Sequence, residues 1–173
     1  MVAVSPAVRL RAFSRLLPMA LLCSREAVMR HFRPALRAFE LTEQQWRVLR
    51  ALSSIQVSEI TYLARATYLA APSLTRILRD LEGRGLIERR RSDEDMRLGL
   101  VAISGAGLLL IEEVQLITTG IYAEIASRYG SSRVVELMEL LAELTAELTE
   151  GAPIAVNAAH LRPTMRNAHR RRE

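Results

Sequence analysis

Arg76 and Arg79 stand three residues apart, with Ser73 and Thr75 immediately before them. A guanidinium offers a planar fork of donors that fits phosphate oxygens or the O6/N7 edge of guanine. Hydroxyls near a helix N-terminus suit phosphate or short-range base contacts. Arg89, Arg90 and Arg91 follow as candidate phosphate anchors. The bland alternative is a set of surface salt bridges to Asp80, Glu82, Glu88, Asp93 and Glu94, and for Arg79 and Arg90 the two readings are equally matched. No other chemistry competes. His31, His160 and His169 are scattered, and Cys23 is alone, so no zinc-type spacing exists. Gly83-Arg84-Gly85 follows a helix and lacks the strand-loop-helix setting of a phosphate cradle. The sequence implies no metal, no cofactor and no enzyme.

The elements that must position these residues are legible around them. Leu74, Ile77, Leu78 and Leu81 recur at helical spacing, leaving Ser73, Thr75, Arg76 and Arg79 outward. Pro72 suits the first turn, and Gly83 and Gly85 mark the stop. Leu86 to Arg90 and Leu98 to Ile103 read as two strands around a charged loop. Upstream, Thr42 and Gln45 form a capping box for a helix with Trp46, Val48, Leu49 and Leu52 on its core face. Val57 is expected as a short strand pairing with the wing, and Ser58 as the cap of a positioning helix bearing Ile60, Leu63 and Ala64. Tyr68 to Ala71 would be the turn, with no glycine in it. Together these make a winged helix-turn-helix, whose helix can enter a major groove while its hairpin reaches the neighbouring backbone. An ordinary surface helix followed by a hairpin is the alternative.

The chain divides into N-terminal dimerisation helices (7–39), the winged helix-turn-helix lobe (40–103), C-terminal dimerisation helices (104–150) and a basic tail (151–173). The fold class is therefore mainly α with a small β wing, plus a helical dimerisation region from the N- and C-terminal helices. Leu10, Phe13, Leu17, Leu21, Val28 and Phe32 stripe the first segment, where Pro18 should kink or restart the helix and Pro34 bend or end it. Ser104 should cap a helix apolar on more than one face, and Gly130 should end it. Val134, Leu137, Met138, Leu141, Leu144 and Leu148 then form a stripe regular enough for a dimer seam; packing on the same subunit is the alternative.

Composition agrees. The chain has 173 residues, and its Lys+Arg excess is 24 − 19 = +5, which favours a polyanionic partner without requiring one. Every one of these basic residues is arginine. A single Cys23 in an apolar helical run fits a buried thiol and a reducing cytoplasm. Leu22 is too large to precede a lipobox cysteine, so no export signal is expected. No stretch is expected to span a membrane.

From about Ser14 to Leu148 the chain resembles MarR-family transcriptional regulators. The matching motifs are Pro72-Ser73-Leu74-Thr75-Arg76, Leu81-Glu82-x-Arg84-Gly85-Leu86-Ile87-x-Arg89, Asp95-x-Arg97 and Ile103-Ser104-x-Ala106-Gly107. Its N-terminal half is similar to the branch regulating homoprotocatechuate-type aromatic catabolism, through Ser14-Arg15-x-Leu17-Pro18-Met19, Arg25-Glu26-Ala27, Phe32-Arg33-Pro34 and Gln45-Trp46-Arg47-Val48-Leu49-Arg50. The resemblance implies a cytoplasmic homodimeric regulator, a repressor, on a pseudo-palindromic double-stranded operator. It implies DNA contacts from Ser73, Thr75, Arg76, Arg79, Arg89, Arg91 and Arg97, with Asp95 holding the wing arginine. It also implies a small aromatic carboxylate as effector, for which Ser14, Arg15, Trp46 and Arg47 are the candidates: an arginine fork for the carboxylate and an apolar wall for the ring. Pairing of Arg15 and Arg47 with acids at the dimer interface is the alternative for those two. A winged-helix dimer serving as a protein-interaction module without an operator remains the alternative function.

Overall fold

The computed structural model describes residues 16–91 and 99–150, with the side chains of Arg91 and Glu150 outside that description. The expectations for Ser14, Arg15, Asp95, Arg97 and the tail fall outside the described residues. The chain separates into two compact units, residues 1–125 and 126–173.

In the first unit, α1 (Leu17–Ala38) begins with Pro18 in its first turn, where a missing N–H is harmless, and runs one turn past Pro34. α2 (Glu43–Ile55) starts from the capping box: Gln45 N–H donates to the Thr42 hydroxyl at 3.2 Å, and Thr42 N–H donates to Gln45 Oε1 at 2.7 Å. β1 (Val57–Glu59) follows, then α3 (Ile60–Ala66), α4 (Ala71–Gly83), β2 (Ile87–Arg91), β3 (Gly99–Ile103) and α5 (Gly105–Tyr129). The sheet is antiparallel in the order β1-β3-β2, pairing Val57 with Ala102 and Ile87 with Ile103.

One core closes this unit. Val48, Leu49 and Leu52 of α2 meet Leu63 of α3, Leu74, Leu78 and Leu81 of α4, Val101 of β3, and Ile111 and Val114 of α5. Four-residue and three-residue steps on α4 put all its leucines inward at 0% exposure. The wing strands join the same core through Ile87 and Val101, which fixes the hairpin to the end of α4.

Two junctions set the angle between α4, the wing and α5. Gly85 adopts φ +69°, so the chain reverses between α4 and β2 at a position where an L side chain is strained. The Ser104 hydroxyl accepts from Gly107 N–H at 3.0 Å and donates to Gly85 O at 2.7 Å, joining the start of α5 to that reversal. Gly107 packs so closely that an added Cβ would stand 2.2 Å from Leu86 O.

Three expectations are corrected. Ser58 does not cap α3: it lies within β1, buried, its hydroxyl donating to Glu59 O, and Glu59 occupies the cap position without a side-chain bond. Pairing with β3 takes Ser58 into the sheet and shifts the helix start by one residue. Cys23 is exposed on α1, so it is not a buried thiol. α5 is also long and apolar enough to cross a membrane by length and composition alone. Its apolar residues divide between buried Ile111 and Val114 and exposed Leu109, Leu116 and Ile117.

In the second unit, Gly130 at φ +100° separates the last turn of α5 from α6 (Ser131–Glu150). Arg133 lies over the Tyr129 ring at 4.6 Å. Leu137, Met138, Leu141 and Leu148 of α6 are all exposed, Met138 by 66%.

Candidate nucleic-acid interface

Helices α3 and α4 are joined by residues 67–70, and the geometry of that turn decides where α4 points. Thr67 is buried and its hydroxyl donates to Leu63 O at 2.6 Å. Tyr68, 80% exposed, takes φ +52°, the conformation glycine would adopt most readily. The turn is thus made without glycine by holding a tyrosine in the left-handed region.

On α4, the inward leucines leave Ser73, Thr75, Arg76 and Arg79 exposed. Neither arginine makes an ion pair or hydrogen bond among the described residues. Thr75 Oγ1 donates to Ala71 O at 2.9 Å, which leaves its lone pairs available as acceptors. Ser73 and Arg76 line a cleft of about 380 Å³ with Thr42, Gln44, Gln45 and Asp80. In the wing, Arg90 is exposed and makes no ion pair among the described residues, but Arg89 is held by Glu82 at 2.6 Å. The salt-bridge reading therefore describes Arg89, because β2 runs back alongside the last turn of α4 and brings Glu82 within reach. Arg84, which charge alone would add to the basic set, donates to the carbonyls of Glu40 and Phe39.

Of the residues expected to hold a carboxylate, Trp46 and Arg47 lie among those described. Arg47 Nη1 donates to Thr67 O at 2.9 Å, closing the C-terminal end of α3. Trp46 instead meets Arg50, one turn along α2, whose guanidinium lies 5.8 Å from the ring centroid. Arg50 also donates to Gln115 Oε1 of α5 at 3.4 Å. The guanidinium beside the Trp46 ring is thus that of Arg50. The i,i+4 spacing of Trp46 and Arg50 was the available signal.

A second cluster was not foreseen. Arg25 and Arg33 of α1 converge on Glu43 at the start of α2, each at 2.5 Å, and both also pair with Glu26. They line a cleft of about 440 Å³. Burial pushes the Glu43 carboxyl up, but the hydrogen bonds from Arg33 and Arg25 outweigh it and hold it below its ordinary value. The bonds to Glu26 and Glu43 raise Arg33 in turn. These residues tie α1 to the lobe rather than offering free charge. Among the described residues no cluster of His, Cys, Asp or Glu could hold a metal ion.

Comparison with known proteins agrees with this architecture. The MarR family model matches residues 41–98, which run from the cap of α2 into the wing. The chain is 34% identical over 130 residues to the homoprotocatechuate degradative operon repressor of Escherichia coli, covering 75% of this chain and 88% of the repressor. Its fold matches that of NadR in complex with 4-hydroxyphenylacetate at TM-score 0.68 and 32% identity, covering 83% of this chain and 97% of that one. It matches the transcriptional repressor CouR bound to a 23-mer DNA duplex at TM-score 0.71 and 26% identity, covering 77% and 94%. With the winged helix-turn-helix and the length of the E. coli match both in place, this chain belongs to the MarR family of transcriptional regulators.

Proposed function

We propose that the chain is a homodimeric, sequence-specific repressor that releases its operator when it binds a small phenolic acid. The observation that carries the reading is α4: a helix anchored by three fully buried leucines that presents Ser73, Thr75 and two arginines outward, neither of them paired among the described residues. Arg76 and Arg79 reach base edges in the major groove, Ser73 and Thr75 fix the backbone, and Arg90 and Arg91 add phosphate contacts from the wing. Arg97, steadied by Asp95, approaches the adjacent minor groove. Arg89 shapes the wing through Glu82 and contributes charge at its base.

A second copy covers the apolar side chains exposed on α6, so that two α4 helices meet successive major grooves about 34 Å apart. The effector site is built on Trp46 and Arg50, and Ser14, Arg15 and Arg47 are its further candidates from the sequence. A phenolic ring lies against the indole and its carboxylate takes the Arg50 fork. NadR, which was crystallised with 4-hydroxyphenylacetate, supports that ligand class. Nothing in this scheme is catalytic, and it places the protein in the cytoplasm with the DNA.

The test is fluorescence anisotropy with a duplex from upstream of the chain's own reading frame, titrated with 4-hydroxyphenylacetate. Release of bound duplex, with no release by a neutral phenol, is the expected result. Equal affinity for a random duplex of the same length contradicts the reading.

A further inference from the structure

Helix α2 is hydrogen-bonded to the last turn of the recognition helix and also to the turn that leads into that helix. Near its N-terminus, Gln45 Nε2 donates to Asp80 Oδ2 of α4 at 2.5 Å while its Oε1 still serves the capping box. One residue beyond Trp46, Arg47 Nη1 donates to the Thr67 carbonyl, in the turn from which α4 departs. Asp80 lies in the last turn of α4, and Thr67 lies four residues before Ala71, where α4 begins. The last turn of the recognition helix and the turn from which it departs are therefore both tied to one element, α2.

The leucines alone do not fix this posture. Leu74, Leu78 and Leu81 fix which face of α4 is buried, but apolar packing is non-directional and tolerates small rotations about the helix axis. Hydrogen bonds are directional, and a rotation that moves the guanidinium of Arg76 by an ångström or so spoils a bidentate base contact. We propose that Gln45 and Arg47 are positioning residues for DNA recognition, holding α4 through Asp80 in its last turn and through Thr67 in the turn that precedes it. Neither need touch DNA. The proposal rests on the reading of α4 as the DNA-reading helix.

The Gln45–Asp80 bond permits an exchange of donor and acceptor. Gln45→Glu keeps an oxygen for the capping box, where glutamate is equally at home, but sets two carboxylates against each other at Asp80. Adding Asp80→Asn supplies an amide donor to the new carboxylate and returns the net charge to that of the wild type, so that general attraction to phosphate is restored as well. For the other tie, Arg47→Met removes the donor and keeps the apolar stem, while Arg47→Lys keeps a donor.

The experiment measures the ratio of affinities of the full chain for its upstream duplex and for a random duplex at fixed salt, alongside thermal unfolding. Gln45→Glu should lower that ratio about tenfold or more, since the dimer loses the bond twice, and the pair with Asp80→Asn should recover to within about threefold of wild type. Arg47→Met should lower the ratio similarly and Arg47→Lys should recover part of it. Should Arg47→Met fail to fold, the Gln45/Asp80 exchange decides alone. A ratio unchanged in Gln45→Glu, or a double variant no better than the single, overturns the proposal while leaving the repressor reading intact. A wild-type protein with no preference for the upstream duplex overturns both.

Discussion

Arg76→Ala is the substitution whose effect can be reasoned most fully. Arg76 is exposed on α4, on the side opposite the buried leucines, and has no protein partner among the described residues. Removing it breaks no hydrogen bond or ion pair among the described residues, so the unfolding free energy should stay within about 0.5 kcal/mol of wild type. A bidentate arginine–guanine contact discriminates by about 1–3 kcal/mol. A homodimer makes it twice, so the operator complex should weaken by about 4 kcal/mol, roughly a thousandfold. On a random duplex the guanidinium supplies only charge, and the loss should be far smaller. Anisotropy titrations of both duplexes across a salt series separate the two roles. A base-reading arginine lowers the affinity ratio and leaves the salt slope of the operator complex nearly unchanged. A phosphate-gripping arginine flattens that slope by about 1.8 over the dimer and weakens both duplexes alike. The second pattern, or no loss at all, would refute the assignment of Arg76 to base recognition.

The other expectations divide between ligand, assembly and stability. Arg50→Ala should abolish release of DNA by 4-hydroxyphenylacetate while leaving DNA affinity within about threefold, because a carboxylate that loses a fork of two hydrogen bonds forfeits most of its binding energy; the anisotropy titration reads both. Leu137→Glu combined with Leu141→Glu places charges on exposed positions of α6 that a partner is to cover, so sedimentation should show a monomer in place of a dimer. Gly107→Ala would put a Cβ 2.2 Å from Leu86 O and 2.8 Å from Ile103 Cγ1. Because backbone yields little there, urea unfolding should show a loss of about 1–3 kcal/mol despite alanine's better helix propensity. The Glu43 carboxyl is held below its ordinary 4.5 in the folded chain, so its contribution is complete above that value and is lost as pH falls through the lower folded value. Stability followed by urea unfolding should decline below about pH 4.5 less steeply in Glu43→Gln than in wild type.

The elements of the lobe were legible because each is specified by neighbours in sequence. Leu74, Leu78 and Leu81 repeat within one helix, the Thr42–Gln45 capping box closes over three residues, and Ser104 marks the start of α5 in the same local way. What sequence did not disclose depends on partners brought from other elements. Arg47 is the carboxylate fork that the sequence suggests, and only the fold shows the Thr67 carbonyl beside its guanidinium and the Trp46 ring beside that of Arg50. Arg89 reads as a free cation until β2 folds back beside Glu82. Ser58 is a good cap by type, but three residues of strand pairing with β3 claim it first. The apolar excess of α5 and α6 was readable as a need for burial, since far more of it is present than one copy covers.

Hydroxyl-radical footprinting of the purified protein on the DNA upstream of its own reading frame tests the central claim most directly. Two recognition helices related by a dimer axis predict two protected patches on one face of the duplex, centred about one helical turn apart and related by near-symmetry in sequence. Protection should vanish with Arg76→Ala at the same protein concentration. A single unpaired patch, or protection that follows no sequence, would contradict the account.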